Sequence, residues 1–135
     1  MTFKFLEHTA DIKFIVKASS IEKLFEQCVL AMASYMVEGR KIKFSATKNI
    51  KASAKKGDNE ALLYAFLDEL IFLVDAEGFV PSKAKVSIKS GKLEAKIYGD
   101  STKEKHLNHI KSPTFAEMYV KKEISGWKAQ VVLDV

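Results

Sequence analysis

One cysteine, one arginine and two prolines serve the whole 135-residue chain, and each scarcity excludes something. With Cys28 alone, no disulfide forms within the chain, which fits a reducing compartment. Cys28 lies on an apolar helical stripe, so it reads as a packed thiol and not as a nucleophile. Arg40 is the only arginine, so the net charge of +5 is almost wholly lysine. A reader of nucleic-acid bases wants arginine forks, and aromatic-plus-basic stripes are not evident, so only a weak tRNA or RNA contact is expected and no DNA. No apolar run approaches the ~20 residues of a membrane span, and residues 1–6 lack the apolar region and cleavage site of a signal peptide. The expectation is a cytoplasmic protein without membrane contact. Three histidines without close His/Cys spacing make a structural zinc site improbable. No Gly-rich phosphate loop, nucleophile elbow or Ser/His/Asp arrangement is legible.

What is present is ordinary core material, 47% hydrophobic and 29% charged, enough for one domain over residues 1–135. Residues 3–6 and 12–17 read as short strands around a turn at 7–11, with Ile12, Phe14 and Val16 on one face. Ser19 and Glu22 form a capping-box pattern opening a helix. Ile21, Leu24, Phe25, Cys28, Met32 and Met36 line its apolar face, and Gly39 lies beyond its end. Residues 42–44 and 49–54 alternate like sheet. Asp58 is placed to cap a second helix at about 60–75, apolar over most of its circumference. Hairpins follow at 83–89 with 92–98, across Ser90-Gly91, and at 115–124 with 127–133, across Ser125-Gly126. Residues 100–108 read as a loop. The order predicts an α+β fold, a largely antiparallel sheet covered by two helices.

The chemistry concentrates at the two ends. Glu7-His8-Thr9-Ala10-Asp11 lies near the start, and the last strand runs into Asp134-Val135. Alone, the first segment reads as a turn with local hydrogen bonds from Thr9 and Asp11. A main-chain carboxylate on Val135 beside Asp134 changes the balance. If the fold carries Asp11 there, three carboxylates meet, and such a group repels itself unless a cation sits among them. Hard oxygen ligands suit calcium, magnesium or manganese. His106 and Lys111, with Leu107-Asn108-His109-Ile110 between them, could bind phosphate or a partner carboxylate beside a metal. A loop histidine is more often simply solvated, and His109 has no supporting pattern. Asp68, Glu69 and Asp75 read as a solvated helix edge.

Over its whole length the chain resembles the archease family. The carrying features are His8-Thr9-Ala10-Asp11, the amphipathic helix at 21–36, and the second helix with Asp68-Glu69-Leu70. Gly99-Asp100, His106-x4-Lys111 and Gly126-Trp127…Leu133-Asp134-Val135 follow in order. The resemblance implies a small accessory protein, not itself an enzyme, that activates the RtcB-type tRNA-splicing RNA ligase by promoting its guanylylation and multiple turnover. It also implies a divalent-metal site, with Ca2+ first and Mg2+ or Mn2+ as alternatives, held by Asp11, Asp134 and Val135. Lys111 matches the family's functional lysine. Archeases commonly carry Thr-Tyr-His after that lysine, whereas this chain has Thr114-Phe115-Ala116 and lacks the imidazole.

Two other functions fit the residues less fully. A stand-alone metal-dependent phosphohydrolase would use the carboxylates and lysine to stabilise phosphoryl transfer, but lacks an evident general base. An RNA-binding or chaperone-like module would draw on the lysine-rich strands.

Overall fold

Alternating apolar and polar residues build two antiparallel sheets, and two helices occupy the space facing their apolar sides. The computed structural model describes residues 2–6, 11–38, 45–101 and 107–135. The elements run β1 (Thr2–Leu6), β2 (Asp11–Ala18), α1 (Ile21–Val37), β3 (Ala46–Ser53), α2 (Asn59–Glu77) and β4 (Phe79–Lys89). They continue with β5 (Lys92–Ser101), β6 (Ser112–Glu123) and β7 (Gly126–Asp134). One sheet has the order β1-β2-β7-β6 and the other β3-β5-β4. Every pairing is antiparallel, giving the expected α+β class.

Period two decides the faces of each strand. In β2, Phe14 and Val16 are fully buried and stand opposite Val131 and Ala129 of β7. Lys13 and Lys17 project from the other side, with Gln130 and Lys128 of β7. The same alternation in β5 buries Leu93, Ala95 and Ile97. Both helices pack against both sheets: α1 against β1, β2, β7 and β4, and α2 against β6, β3, β4 and β5. The Phe25 and Phe66 rings stack at 6.0 Å between them. Leu24, Cys28, Met32, Leu63, Leu67 and Leu70 are likewise fully buried in the shared cluster.

The helices also satisfy sheet edges. An edge strand leaves outward N–H groups that cost free energy unless paired. Glu26 of α1 accepts from the Val86 N–H on edge strand β4, at 2.9 Å. Glu60 of α2 accepts from the Val120 N–H on edge strand β6, at 3.2 Å. Two helix carboxylates thus tie α1 to the edge strand β4 and α2 to the edge strand β6.

Several boundaries differ from the sequence reading, each for a local reason. The cap of α1 is Ser20, whose hydroxyl accepts from the Lys23 N–H at 3.2 Å, so the Ser19–Glu22 box is displaced by one residue. Glu38 takes the left-handed cap position at φ 47. Asp58 caps α2 as expected, accepting from the Ala61 N–H at 3.1 Å. β4 begins at Phe79, ahead of the expected 83, and its register shifts between Pro81 and Lys83. β5 reaches Ser101, into the expected loop. β6 begins at Ser112, ahead of the expected 115, because an irregularity between Thr114 and Tyr119 hides its alternation. Ser90 and Gly91, at φ 52 and 78, make the tight turn between β4 and β5. Gly39 and the expected strand at 42–44 lie outside the described residues.

Cys28 is the packed thiol that the stripe implied. It is fully buried, and desolvation pushes its pKa far up. The unfolded chain gives up this proton near pH ~8.5 while the folded chain keeps it. Stability is therefore full below that pH and falls by about 1.4 kcal/mol per unit above it. Urea titrations between about pH 9 and 10 should show this slope, and Cys28→Ala should flatten it while lowering stability by an upright offset. Glu26→Ala and Glu60→Ala should each cost about 1–2 kcal/mol, as a part-buried N–H loses its acceptor; chemical denaturation of each variant reads this directly.

Candidate metal centre

Strand pairing alone brings the start of β2 to the end of β7. β2 and β7 run antiparallel, and their register sets Asp11 opposite Asp134. β6 continues the row with Ser112 opposite Asp134. Directly opposed residues share a face, with Cβ atoms roughly 4.5–5.5 Å apart. The face is the outer one, because Ile12 and Leu133 take the inner side. Asp11 is half-buried and Asp134 exposed. Two carboxylates and a hydroxyl thus line the end of the four-stranded sheet.

Val135 follows Asp134 directly, and its side chain packs against the hydrophobic cluster. That anchor fixes the residue that follows the aspartate row. The Lys111 N–H donates to the Asp134 carbonyl at 2.8 Å, which ties Lys111 to the same end while leaving it exposed. The sequence thus pointed to Asp11, Asp134, Val135 and Lys111, and the fold gathers these four. His106 and the 7–10 part of the early motif lie outside the described residues.

Several neighbours were not expected at this site from residue pattern alone. Asp11 and Asp134 border a depression whose other walls include Ser112, Thr114, Tyr64 and Phe115. Tyr64 of α2 and Phe115 stack at 4.1 Å with planes 7° apart, closing one side although Phe115 is 55% exposed. Phe115 brings a ring to this wall and Ala116 only a methyl group. One row inward, Lys13 reaches Glu117 at 3.2 Å, and the Gln130 amide donates to the Glu117 carbonyl at 2.7 Å. Glu117 occupies the irregular stretch of β6 at φ 60. Only the register of β6, invisible in its broken alternation, places these groups.

His109 and Asp75 are both exposed, as expected, and across that surface the His109 Nε2 lies 3.4 Å from the Asp75 carboxylate. Both line a cleft of about 220 Å³ with Met36, Ile71 and Val74, which shares no lining residue with the aspartate depression. Asp68 and Glu69 are exposed, as expected.

The donor set is all oxygen: two carboxylates, hydroxyls of Ser112 and Thr114, and main-chain oxygen at Val135. Among the described residues no three His, Cys, Asp or Glu side chains cluster as metal ligands. A cation here would therefore depend on main-chain or hydroxyl oxygen besides the two aspartates. Calcium accepts such a mixture, whereas zinc prefers nitrogen and sulfur.

These features define a small α+β protein with paired carboxylates at the meeting point of its first and last long strands. The chain belongs to the archease family: the model of the archease protein family (MTH1598/TM1083) matches residues 3–135. The archease of Pyrococcus furiosus is 36% identical over 137 residues, covering 96% of this chain and 95% of that protein. The archease of Methanosarcina mazei is 31% identical over 141 residues, covering 98% and 95%. The solution structure of Methanobacterium thermoautotrophicum protein 1598 superposes with a TM-score of 0.80 at 30% identity, covering 98% of each chain. The crystal structure of a Thermotoga maritima archease, described as a possible chaperone, shares the fold with a TM-score of 0.66 at 20% identity, covering 98% of this chain and 96% of that one.

Opposed like charges destabilise a strand pair. In chelator-treated protein, Asp134→Asn should therefore leave the melting temperature unchanged or slightly higher. A clear drop, read by thermal unfolding, would mean that Asp134 holds the fold and is not a spare ligand.

Proposed function

We propose that this protein is an accessory activator of an RtcB-type tRNA-splicing RNA ligase, promoting its guanylylation and repeated turnover through a divalent-cation site at Asp11, Asp134 and Val135. Family membership supports the role, and the opposed aspartates support the site. The observation that carries the reading is the register of β2 and β7, which keeps two carboxylates side by side at an accessible edge. A bound divalent ion neutralises both and offers open positions to phosphate or partner carboxylate oxygens.

The chain's own groups then divide the work. Asp11 and Asp134 contribute the charge, while Val135 is steadied by its packed side chain and adds main-chain oxygen. Lys111, tied through its N–H to the Asp134 carbonyl, brings an ammonium to the same end for a phosphate of the ligase-bound nucleotide. Lys13 is held by Glu117 and adds fixed positive charge one row away. Nucleotidyl transfer stays with the ligase. Among the described residues lining the aspartate depression no histidine stands beside the carboxylates, which supports an activator over a stand-alone phosphohydrolase.

Calcium at about 100 times its Kd should stabilise the protein by about 2.7 kcal/mol. Asp11→Asn and Asp134→Ala should abolish most of that gain. A protein ending at Val135 should bind calcium more tightly than one extended by a short tail, because extension turns a carboxylate into a neutral carbonyl. In a reconstituted ligation with substrate in excess, addition of the protein should raise the guanylylation rate and the turnover number. Asp134→Ala and Lys111→Ala should each lose at least tenfold of the stimulation, equivalent to about 1.4 kcal/mol. No stimulation by the unaltered protein with its cognate ligase would sink the proposal.

A further inference from the structure

The three-stranded sheet turns an unusually basic face outward, and strand register is what assembles it. Along β5, Leu93, Ala95 and Ile97 point inward, so Lys92, Glu94, Lys96 and Tyr98 point outward. Their partners on β4 are Lys89, Ser87, Lys85 and Lys83, and on β3 they are Ser53, Lys51, Asn49 and Thr47. Between these end rows the face holds six lysines, Lys51, Lys83, Lys85, Lys89, Lys92 and Lys96, and the single carboxylate Glu94. That excess of five equals the net charge of the whole chain. Asp100 lies one row further on and is engaged with the Ser45 hydroxyl.

Solubility alone does not account for the arrangement. Mixed signs would serve solubility as well and would also pair across strands. Here Lys85 faces Lys96 and Lys89 faces Lys92 directly. Like charges in that position destabilise the sheet. Edge protection does not explain them either, since Lys92 and Lys96 sit on the central strand and Glu26 already satisfies an N–H of the β4 edge. Lys83 and Lys96 both lie over the Tyr98 ring, at 5.2 and 5.5 Å from its centroid, which gathers their charge at one end of the face.

We propose that this face binds the sugar–phosphate backbone of single-stranded RNA. Outward side chains on one strand repeat every ~6.6–6.8 Å, a step comparable to that between successive phosphates on an extended strand. A shallow depression between Asn49, Lys51, Ser87 and Lys96 offers amide and hydroxyl partners for ribose hydroxyls among the ammonium groups. Compact lysine charges without arginine forks recognise phosphate and not base edges, so binding is indifferent to sequence. An anionic membrane is disfavoured because the face has no apolar side chain to insert. An acidic protein surface is disfavoured because, Tyr98 apart, no large anchor stands on it. The four-stranded sheet has its own outward row, Lys17, Lys128 and Lys121, but that face is shared with Asp11, Asp134 and Glu117. The proposal does not rest on the metal site, which lies on the other sheet.

The test is fluorescence anisotropy with a labelled single-stranded RNA oligomer, titrated at several salt concentrations. The unaltered protein should bind with a log–log salt slope of about −3, for roughly four phosphates at ~0.7 each. Lys85→Gln with Lys96→Gln should weaken binding at least fivefold and flatten the slope by about 1.4. Its melting temperature should be equal or higher, because a like-charge pair is removed, so lost binding cannot be lost folding. Lys17→Gln with Lys121→Gln makes the same change in net charge on the other sheet and should leave affinity within twofold. Equal losses in the two double variants would overturn the proposal, since only overall charge would then matter. So would a slope near zero, or tighter binding to phosphatidylserine vesicles or polyglutamate than to RNA. Asp134→Ala should not alter RNA affinity, so a failed ligase activation and a failed RNA contact are read separately.

Discussion

The pairing of β2 with β7 is the constraint on which the rest depends. It joins residues more than a hundred positions apart in sequence, setting Asp11 against Asp134 and Ala18 against Trp127 along an eight-residue ladder. Loop closure over that span costs entropy that local contacts cannot repay. Repayment comes from the inner face, where Phe14, Val16, Ala129, Val131 and Leu133 are all buried. A slip of one residue would turn those side chains to solvent and drive Lys13 and Lys17 into the core. Hydrophobic burial therefore holds the register, and the register holds the two aspartates. The carboxylate pair contributes nothing to its own placement.

The helices carry that constraint to the second sheet. Glu26 and Glu60 each spend a carboxylate on an outward N–H of an edge strand, one in either sheet. Both glutamates are half-buried, where an unpaired carboxylate would be costly. The same hydrogen bonds that satisfy the strands satisfy the acids. Phe25 stacked on Phe66 then locks the helices to one another. The end of the four-stranded sheet is thereby backed by α2, whose Tyr64 meets Phe115 beside the aspartates.

Much of this was legible in the sequence because it rests on local periodicity. The core faces of both helices, the Asp58 cap, the Ser90-Gly91 turn and the antiparallel α+β class follow from spacing and residue type. The cap of α1 was misplaced because Ser19 and Ser20 are adjacent and both can accept; the structure uses Ser20. β6 was read three residues short because its irregular stretch, with Glu117 at φ 60, interrupts the period of two. The same irregularity concealed Thr114, Phe115 and Glu117 as neighbours of the aspartates. His109 and Asp75 meet through tertiary packing alone, and nothing in either segment's pattern anticipates their contact. Register between distant strands leaves no local trace, so the assembled lysine face was equally invisible.

Local consistency is the rule in a chain that folds to one structure, and departures from it tend to mark function. Like charges set against one another recur on both sheets, the Lys17–Lys128–Lys121 row among them. Asp11 opposes Asp134 on one sheet, and Lys85 and Lys89 oppose Lys96 and Lys92 on the other. In each case like charges occupy the cross-strand positions where an opposite pair would stabilise the ladder. Each is an electrostatic deficit, which a cation at the aspartates or a polyanion on the three-stranded sheet would reduce. The deficits are small against the burial that holds each sheet, which is why the fold tolerates both. They lie on the outer faces of different sheets, and the register of each sheet is held by its own buried inner face.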